Sequence, residues 1–305
     1  MVTRKYHRKS NKRFRKTRSK RGGNTDQEEK DKNLLKAATE GDLNKVIKAF
    51  DAGADVDAKG KDGWTALILA TNNGHIETVR LLIGYGANVE AKDNNDNTAL
   101  QLASKKGHTE IVKILVENAA NMEEKDNNGL TALYIAIYEG HTDTVRWLIE
   151  LGADVNTPQK EGCTPVYIAA QEGHIEVIKE LLQGLSDEER KAYLHKADKK
   201  GATPLYIAVQ EGQVEVIKEL LKGLTTEERL PYLHKADKNE VTPLNIAAEK
   251  GYATVIKELL EGLETPEARL TYLHMATNNR VTPLCGAAKN GHANVVRLLK
   301  EYGAQ

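Results

Sequence analysis

A threonine recurs at Thr65, Thr98, Thr131, Thr164, Thr203, Thr242 and Thr282, each time followed by Pro or Ala, then by Leu or Val, and each time by a Gly nine residues later. A threonine hydroxyl caps a helix N-terminus, Pro fits the first helical position, and Gly accepts the left-handed conformation that ends a helix. Each copy therefore predicts a short helix, a stop, and a second helix with one apolar stripe, as in Ile76, Val79, Leu82 and Ile83 or Thr142, Val145, Leu148 and Ile149. Neither helix can bury its apolar face alone. The units must stack on one another, which predicts an all-α solenoid of about eight helix-turn-helix units with an elongated core.

The first four threonines are 33 residues apart, and the later intervals are 39, 39 and 40 residues. Repeat units start at Lys61, Asn94, Asn127, Lys160, Lys199, Lys238 and Asn278, and residues 31–60 form a capping unit that keeps the apolar and Gly spacing but has Lys32-Asn33 where Thr-Pro should stand. The last unit carries Lys300 where its siblings have Leu or Ile, which reads as a polar outer cap. The extra residues of the three long units lie at Gly184–His195, Gly223–His234 and Gly262–His274. There, Ser186 with Glu189 and Thr225 with Glu228 match a capping box, and Thr265-Pro266 is a helix opening. A short third helix is predicted in each, with Tyr193, Tyr232 and Tyr272 stacked as a buried ladder.

Gly-x-Thr-Pro/Ala-Leu/Val, then Ala, then Gly-His, then an apolar helix, resembles the ankyrin repeat over residues 31–305. The chain departs from that family at the His of Thr-Pro-Leu-His, which is Ile68, Gln101, Tyr134, Tyr167, Tyr206, Asn245 and Cys285 here. The Gly two residues before Thr is kept at Gly63, Gly129, Gly162 and Gly201 but is Asp96, Glu240 and Arg280 elsewhere. If that turn needs a positive φ, Glu240 and Arg280 each cost about 1 kcal/mol, and a loosened or altered turn is expected in the last two units.

The formal net charge of zero hides a division. Residues 1–22 hold Arg4, Lys5, Arg8, Lys9, Lys12, Arg13, Arg15, Lys16, Arg18, Lys20 and Arg21 and no acid; removing these eleven from 44 basic residues leaves 33 against 44 acidic ones, a net of −11. So much like charge with so few apolar groups predicts a disordered basic arm at residues 1–30, its last part, from Gly22 to Asp31, a polar linker. Such an arm suits nucleic acid, an anionic surface or a nuclear-import receptor. It resembles the basic N-terminal tails of ankyrin proteins from giant DNA viruses, which would imply a host-cell location. With no apolar run of membrane-span length and no secretory leader, an intracellular monomer in cytoplasm or nucleus is expected. Cys163 and Cys285 lie three units apart, beyond disulfide reach.

His75, His108, His141, His174 and His292 form one series and His195, His234 and His274 another. Equivalent side chains of stacked units sit about 10 Å apart, too far to share a zinc ion, so a structural role is expected and no metal or cofactor is assigned. No phosphate loop, zinc-protease motif or nucleophile elbow is present, which argues against an enzyme.

The residues before each threonine, Trp64, Asn97, Leu130, Cys163, Ala202, Val241 and Val281, make a largely apolar row where turn tips should be polar. They either form an exposed binding row or, for Leu130, Val241 and Val281, pack onto neighbouring turns. In the family it resembles, turn tips and the exposed side of the first helix line one concave face. That implies partner contacts at Trp64, Leu130, Tyr138, Cys163, Gln171, Glu172, Gln210 and Glu211, beside Lys105, Lys106 and Glu139. The resemblance thus implies a protein-binding scaffold; the alternative is a nucleic-acid-associated protein whose basic arm is the effector. Asn156 stands where asparaginyl hydroxylases modify ankyrin segments, although an Asn there also closes a turn.

Overall fold

The computed structural model describes residues 23–155 and 161–305, and these form nineteen helices arranged as eight successive units. The first four units are helix pairs: α1 (Gly23–Glu40) with α2 (Leu43–Asp51), α3 (Ala66–Asn72) with α4 (Ile76–Gly84), α5 (Ala99–Lys106) with α6 (Thr109–Glu117), and α7 (Ala132–Tyr138) with α8 (Thr142–Glu150). Three triplets follow: α9 (Pro165–Glu172), α10 (Ile175–Leu182) and α11 (Asp187–Leu194); α12 (Pro204–Gln210), α13 (Val214–Leu221) and α14 (Thr226–Leu233); α15 (Pro243–Lys250), α16 (Ala253–Leu260) and α17 (Pro266–Leu273). The pair α18 (Pro283–Lys289) and α19 (Ala293–Glu301) closes the array. Helix packs on helix from unit to unit, and one continuous apolar core runs through all eight.

Every repeated threonine is the N-cap of its unit's first helix, its hydroxyl accepting from the backbone amide three residues on, as at Thr65 with Ile68 (3.3 Å). Gln101 and Asn245 return the bond to the threonine amide, closing a capping box in α5 and α15. In the second helices Val79, Leu82, Val145 and Leu148 are fully buried, while Ile76, Ile83 and Ile149 are half-buried against the core and Lys300 of α19 is exposed.

The histidine series is structural. The Nε2 of His75, His141, His174 and His292 lies 2.8–3.0 Å from the carbonyls of Thr39, Lys105, Tyr138 and Glu249, each in the preceding unit's last inner turn. Gly107 shows why the stop must be glycine: its φ is 68°, and a Cβ there would meet His141 at 2.6 Å.

Residues 23–31 are not a linker but the first turns of α1. Polar groups hold them: Gln27 donates to Asp31 (2.8 Å) and to the Gly53 carbonyl (3.1 Å), and Asp31 accepts from the Asp55 amide (2.8 Å). Polar staples of this kind leave no apolar period for a sequence reading to find.

The third helices form as expected, α11 and α14 opening on capping boxes and α17 on Thr265-Pro266. Tyr193, Tyr232 and Tyr272 are buried; His195 stacks on Tyr232 of the next unit, and His234 meets Tyr272 at a tilt of 35°. An unexpected arginine ladder ties these helices forward. Arg190 donates to the carbonyls of Lys222 (3.1 Å) and Glu219, and Arg229 to that of Glu261, so each guanidinium reaches carbonyls at the end of the next unit's second helix; Arg229 also donates to Leu221 in its own unit.

The turn before each threonine does need a positive φ, but it is not altered where glycine is missing. Asp96, Glu240 and Arg280 take φ of 61°, 57° and 61°, the same left-handed region as Gly129 at 82°. An aspartate two or more residues earlier holds the loop: Asp93, Asp126, Asp198 and Asp237 each accept from the amides two and four residues on. In the last unit Thr277 takes that place and accepts only from Val281, at 3.3 Å. Successive tips are joined main chain to main chain, by Asn94 to Asp62, Lys199 to Glu161, Lys238 to Lys200 and Asn278 to Asn239.

Candidate protein-binding face

The row before the threonines is less exposed than a turn tip would suggest: Trp64, Leu130, Cys163 and Val241 are half-buried and pack on the core, and Ala202 is buried. Leu130, Val241 and Trp64 thus rest in part against the core rather than standing free at the tips.

The positions that depart from Thr-Pro-Leu-His explain this packing. Gln101 donates to the carbonyls of Glu124 (3.0 Å) and Leu130 (2.9 Å), Tyr134 to Cys163 (3.2 Å), and Asn245 to Met275 (3.2 Å) and Val281 (3.4 Å), so side chains of one unit fasten the next unit's turn. The Tyr206 hydroxyl donates to the Asp237 carboxylate at 3.0 Å. Burial pushes the hydroxyls of Tyr134, Tyr167 and Tyr206 up, so all three stay protonated. Burial, with help from Asp198 and Glu161, also raises the Cys163 thiol, which removes it as a nucleophile at neutral pH.

Between the third and fourth units the face opens into a cavity of about 390 Å³ lined by Leu130, Ile135 and Tyr138 together with Asn95, Asn97, Asn127, Asn128, Lys105, Asp126 and Glu139. It brings together two of the residues expected to meet a partner, Leu130 and Tyr138. Tyr138 is the more available of the pair, 51% exposed. Gln171 and Gln210 are half-buried and donate to their neighbours Glu172 and Glu211 (2.9 and 3.0 Å), each pair forming a small polar step one unit further along. A few apolar and aromatic side chains set among polar ones are the composition of a protein-binding patch. Among the described residues no group of three or more His, Cys, Asp or Glu side chains is disposed to hold a metal, and no helix is long and apolar enough to cross a membrane. Asn156 and the basic residues Arg4 to Arg21 lie outside the described residues.

A protein-family model described as ankyrin repeats (3 copies) matches residues 34–126, 89–159, 120–192, 151–229 and 225–305 in overlapping windows, which together span the whole array. The chain belongs to the ankyrin-repeat family. Ankyrin repeats are modules of protein–protein interaction, and proteins built from them are typically non-enzymatic scaffolds. The matches begin at residue 34, so nothing in them supports a likeness between the basic tail and those of viral ankyrin proteins. A comparison with curated proteins returned no match.

The arginine ladder is one feature of this ankyrin array that sequence reasoning missed. Its signal was present, since Arg190 and Arg229 each stand four residues after the cap of a third helix.

Proposed function

We propose that this ankyrin protein is a non-enzymatic scaffold that holds a protein partner on the face bearing Leu130 and Tyr138, acting in cytoplasm or nucleus. The contact extends to Cys163, Gln171, Glu172, Gln210 and Glu211, with Trp64 at its first turn. The observation that carries the reading is the Tyr138 ring, half out of the core at a cavity it shares with Leu130 and Ile135. Tyrosine offers large contact area at low entropic cost, which is why such rings dominate binding energy. Affinity capture from native cells with wild-type chain and Tyr138→Ala tests it. A captured protein should bind at least about tenfold more weakly to the variant, with thermal stability unchanged. Equal retention would place the interface elsewhere. Trp64→Ala is a poorer probe, because that ring packs on the core and its loss lowers stability as well as binding.

The eleven cations in residues 1–22 support a second reading, in which the arm contacts nucleic acid or an import receptor and the array is the spacer. Duplex DNA binding would then be steeply salt-dependent, and neutralising the arm's cations would abolish it.

A further inference from the structure

Third helices take a fixed seat on the unit that follows them. On the sixth unit the seat is made by the end of α13 and by α14, and α11 fills it: Arg190 donates to the Lys222 carbonyl (3.1 Å), Lys191 meets the Glu228 carboxylate at 2.6 Å, and the His195 ring stacks on Tyr232. On the seventh unit α14 does the same, with Arg229 reaching the Glu261 carbonyl, Thr226 the Gly262 carbonyl (2.8 Å) and His234 the Tyr272 ring.

The fifth unit carries the same seat in matching residues. Glu180-Leu181-Leu182-Gln183-Gly184-Leu185 is the counterpart of Glu219-Leu220-Leu221-Lys222-Gly223-Leu224, and Glu189 is that of Glu228. The fourth unit, however, is the helix pair α7 and α8, and among the described residues it has no third helix to offer. The cover is thinner as a result. Leu182 is half-buried where Leu221 and Leu260 are buried, and Glu189 is exposed where Glu228 is half-buried. The Glu228 carboxyl is held down to about 2, first of all by Lys191, whereas Glu189 is lowered by its own cap Ser186 with no cation taking part. The fourth unit's one arginine, Arg146, bonds the carboxylates of Glu180 and Asp143. A cavity of about 300 Å³ stands at the seat, lined by Val155, Leu181, Leu185, Ala192 and Tyr193 together with Glu189 and Lys196. Lys196 is no bar to a basic occupant, because its counterpart Lys235 already lies close enough to His195 of the docked α11 to lower that ring's pKa.

We infer that the open seat of the fifth unit docks a short helix of a partner protein with the chemistry of α11 itself: an arginine for the Gln183 carbonyl, a lysine beside it for Glu189, and apolar side chains over Leu181, Leu185 and Ala192. The stacking within the chain is the template for this complex, since two equivalent seats are filled in that way. The site shares no lining residue with the cavity at Tyr138, so it adds a second point of attachment to the scaffold.

A helix-stapled peptide of the α11 sequence, residues 186–196, is the probe, because so short a helix does not hold its shape unaided in water. Fluorescence anisotropy should show saturable binding of this peptide to the full-length chain. Ala192 is exposed on α11, so Ala192→Trp fills the cavity from a tolerant position and should weaken binding at least about tenfold. Removing the charged donors from the peptide, R190A/K191A, should weaken it by a similar factor of about ten or more. Thermal melts check that the chain variant stays folded, and Ala192→Arg gives the same reading should tryptophan disturb α11. Absence of saturable binding, or equal affinity for wild-type chain and the Ala192 variants, would overturn the inference, as would a peptide that binds equally well without Arg190 and Lys191. Self-association of the chain that Ala192→Trp abolishes would make a second copy the occupant and overturn it too. Tyr138→Ala should leave peptide binding unchanged; a loss there as large as in Ala192→Trp would put the peptide on the other cavity and sink this assignment while leaving the scaffold reading in place.

Discussion

The guanidinium of Arg229, on the third helix of one unit, donates to the carbonyl of Glu261, the residue that caps the second helix of the next. The same group reaches Leu221 and Leu224 in its own unit, so a single side chain joins two layers through main-chain carbonyls that helix geometry leaves unsatisfied.

Removing it should therefore cost more than removing a surface ion pair. Arg229→Ala is expected to destabilise the array by about 1–3 kcal/mol, the range for hydrogen bonds from charged donors. Arg80→Ala breaks the exposed pair with Glu110 (2.9 Å) and should cost less than about 1 kcal/mol. Urea denaturation of the two variants side by side checks the difference.

Two glycines with nearly the same backbone separate strain from crowding. Gly291 has φ of 76° and open space where a Cβ would go; Gly107 has φ of 68° and His141 at 2.6 Å. Gly291→Ala should cost about 1–2 kcal/mol from the left-handed conformation alone. Gly107→Ala should cost clearly more, because the histidine must also give up its place against Lys105. Thermal melts of the two variants decide it.

Burial holds His195 and His234 below the usual 6.5, with Lys235 adding to the effect at His195. The unfolded chain takes up these protons before the folded one as pH falls. Their stabilising contribution is thus complete above 6.5 and is lost as pH drops below it. The melting temperature should fall between about pH 7.5 and pH 5.5, and H195Q/H234Q should reduce that fall. An unchanged pH response in the double variant would rule these rings out as its source.

Glu240 and Arg280 stay in a left-handed turn that costs a non-glycine residue about 1 kcal/mol. The last turn also lacks the aspartate anchor, Thr277 standing in its place. Hydrogen exchange should show the seventh and eighth units opening before residues 94–155. Arg280→Gly and Thr277→Asp should each slow that opening, and faster exchange in both variants would contradict the argument.

The threonine caps, glycine stops and third helices were legible in the sequence because each depends on a few residues at fixed spacing. Other features depend on what lies one unit away. Trp64 reads as a turn-tip side chain, yet its ring is half-covered because the core of the stacked units extends to the tips. Gln101, Tyr134 and Asn245 look like losses from the family pattern, yet each fastens the following turn by a different donor. Residues 23–31 hide a helix because its contacts are polar. The groove at Tyr138 was half legible: the exposed ring follows from helix phase, but its closeness to Leu130 needs the stacked third and fourth units.

Successive tips are joined by amide-to-carbonyl bonds of the main chain, as from Lys238 to Lys200 and from Asn278 to Asn239, beside the side-chain bonds that Gln101, Tyr134 and Asn245 make to the following turn. The main-chain part of that connection does not depend on which side chains stand at the tips. A duplicated or transplanted unit would find its neighbour's amides and carbonyls already in register. Substitutions that change what the surface recognises can then accumulate at the tips while the units continue to fold cooperatively.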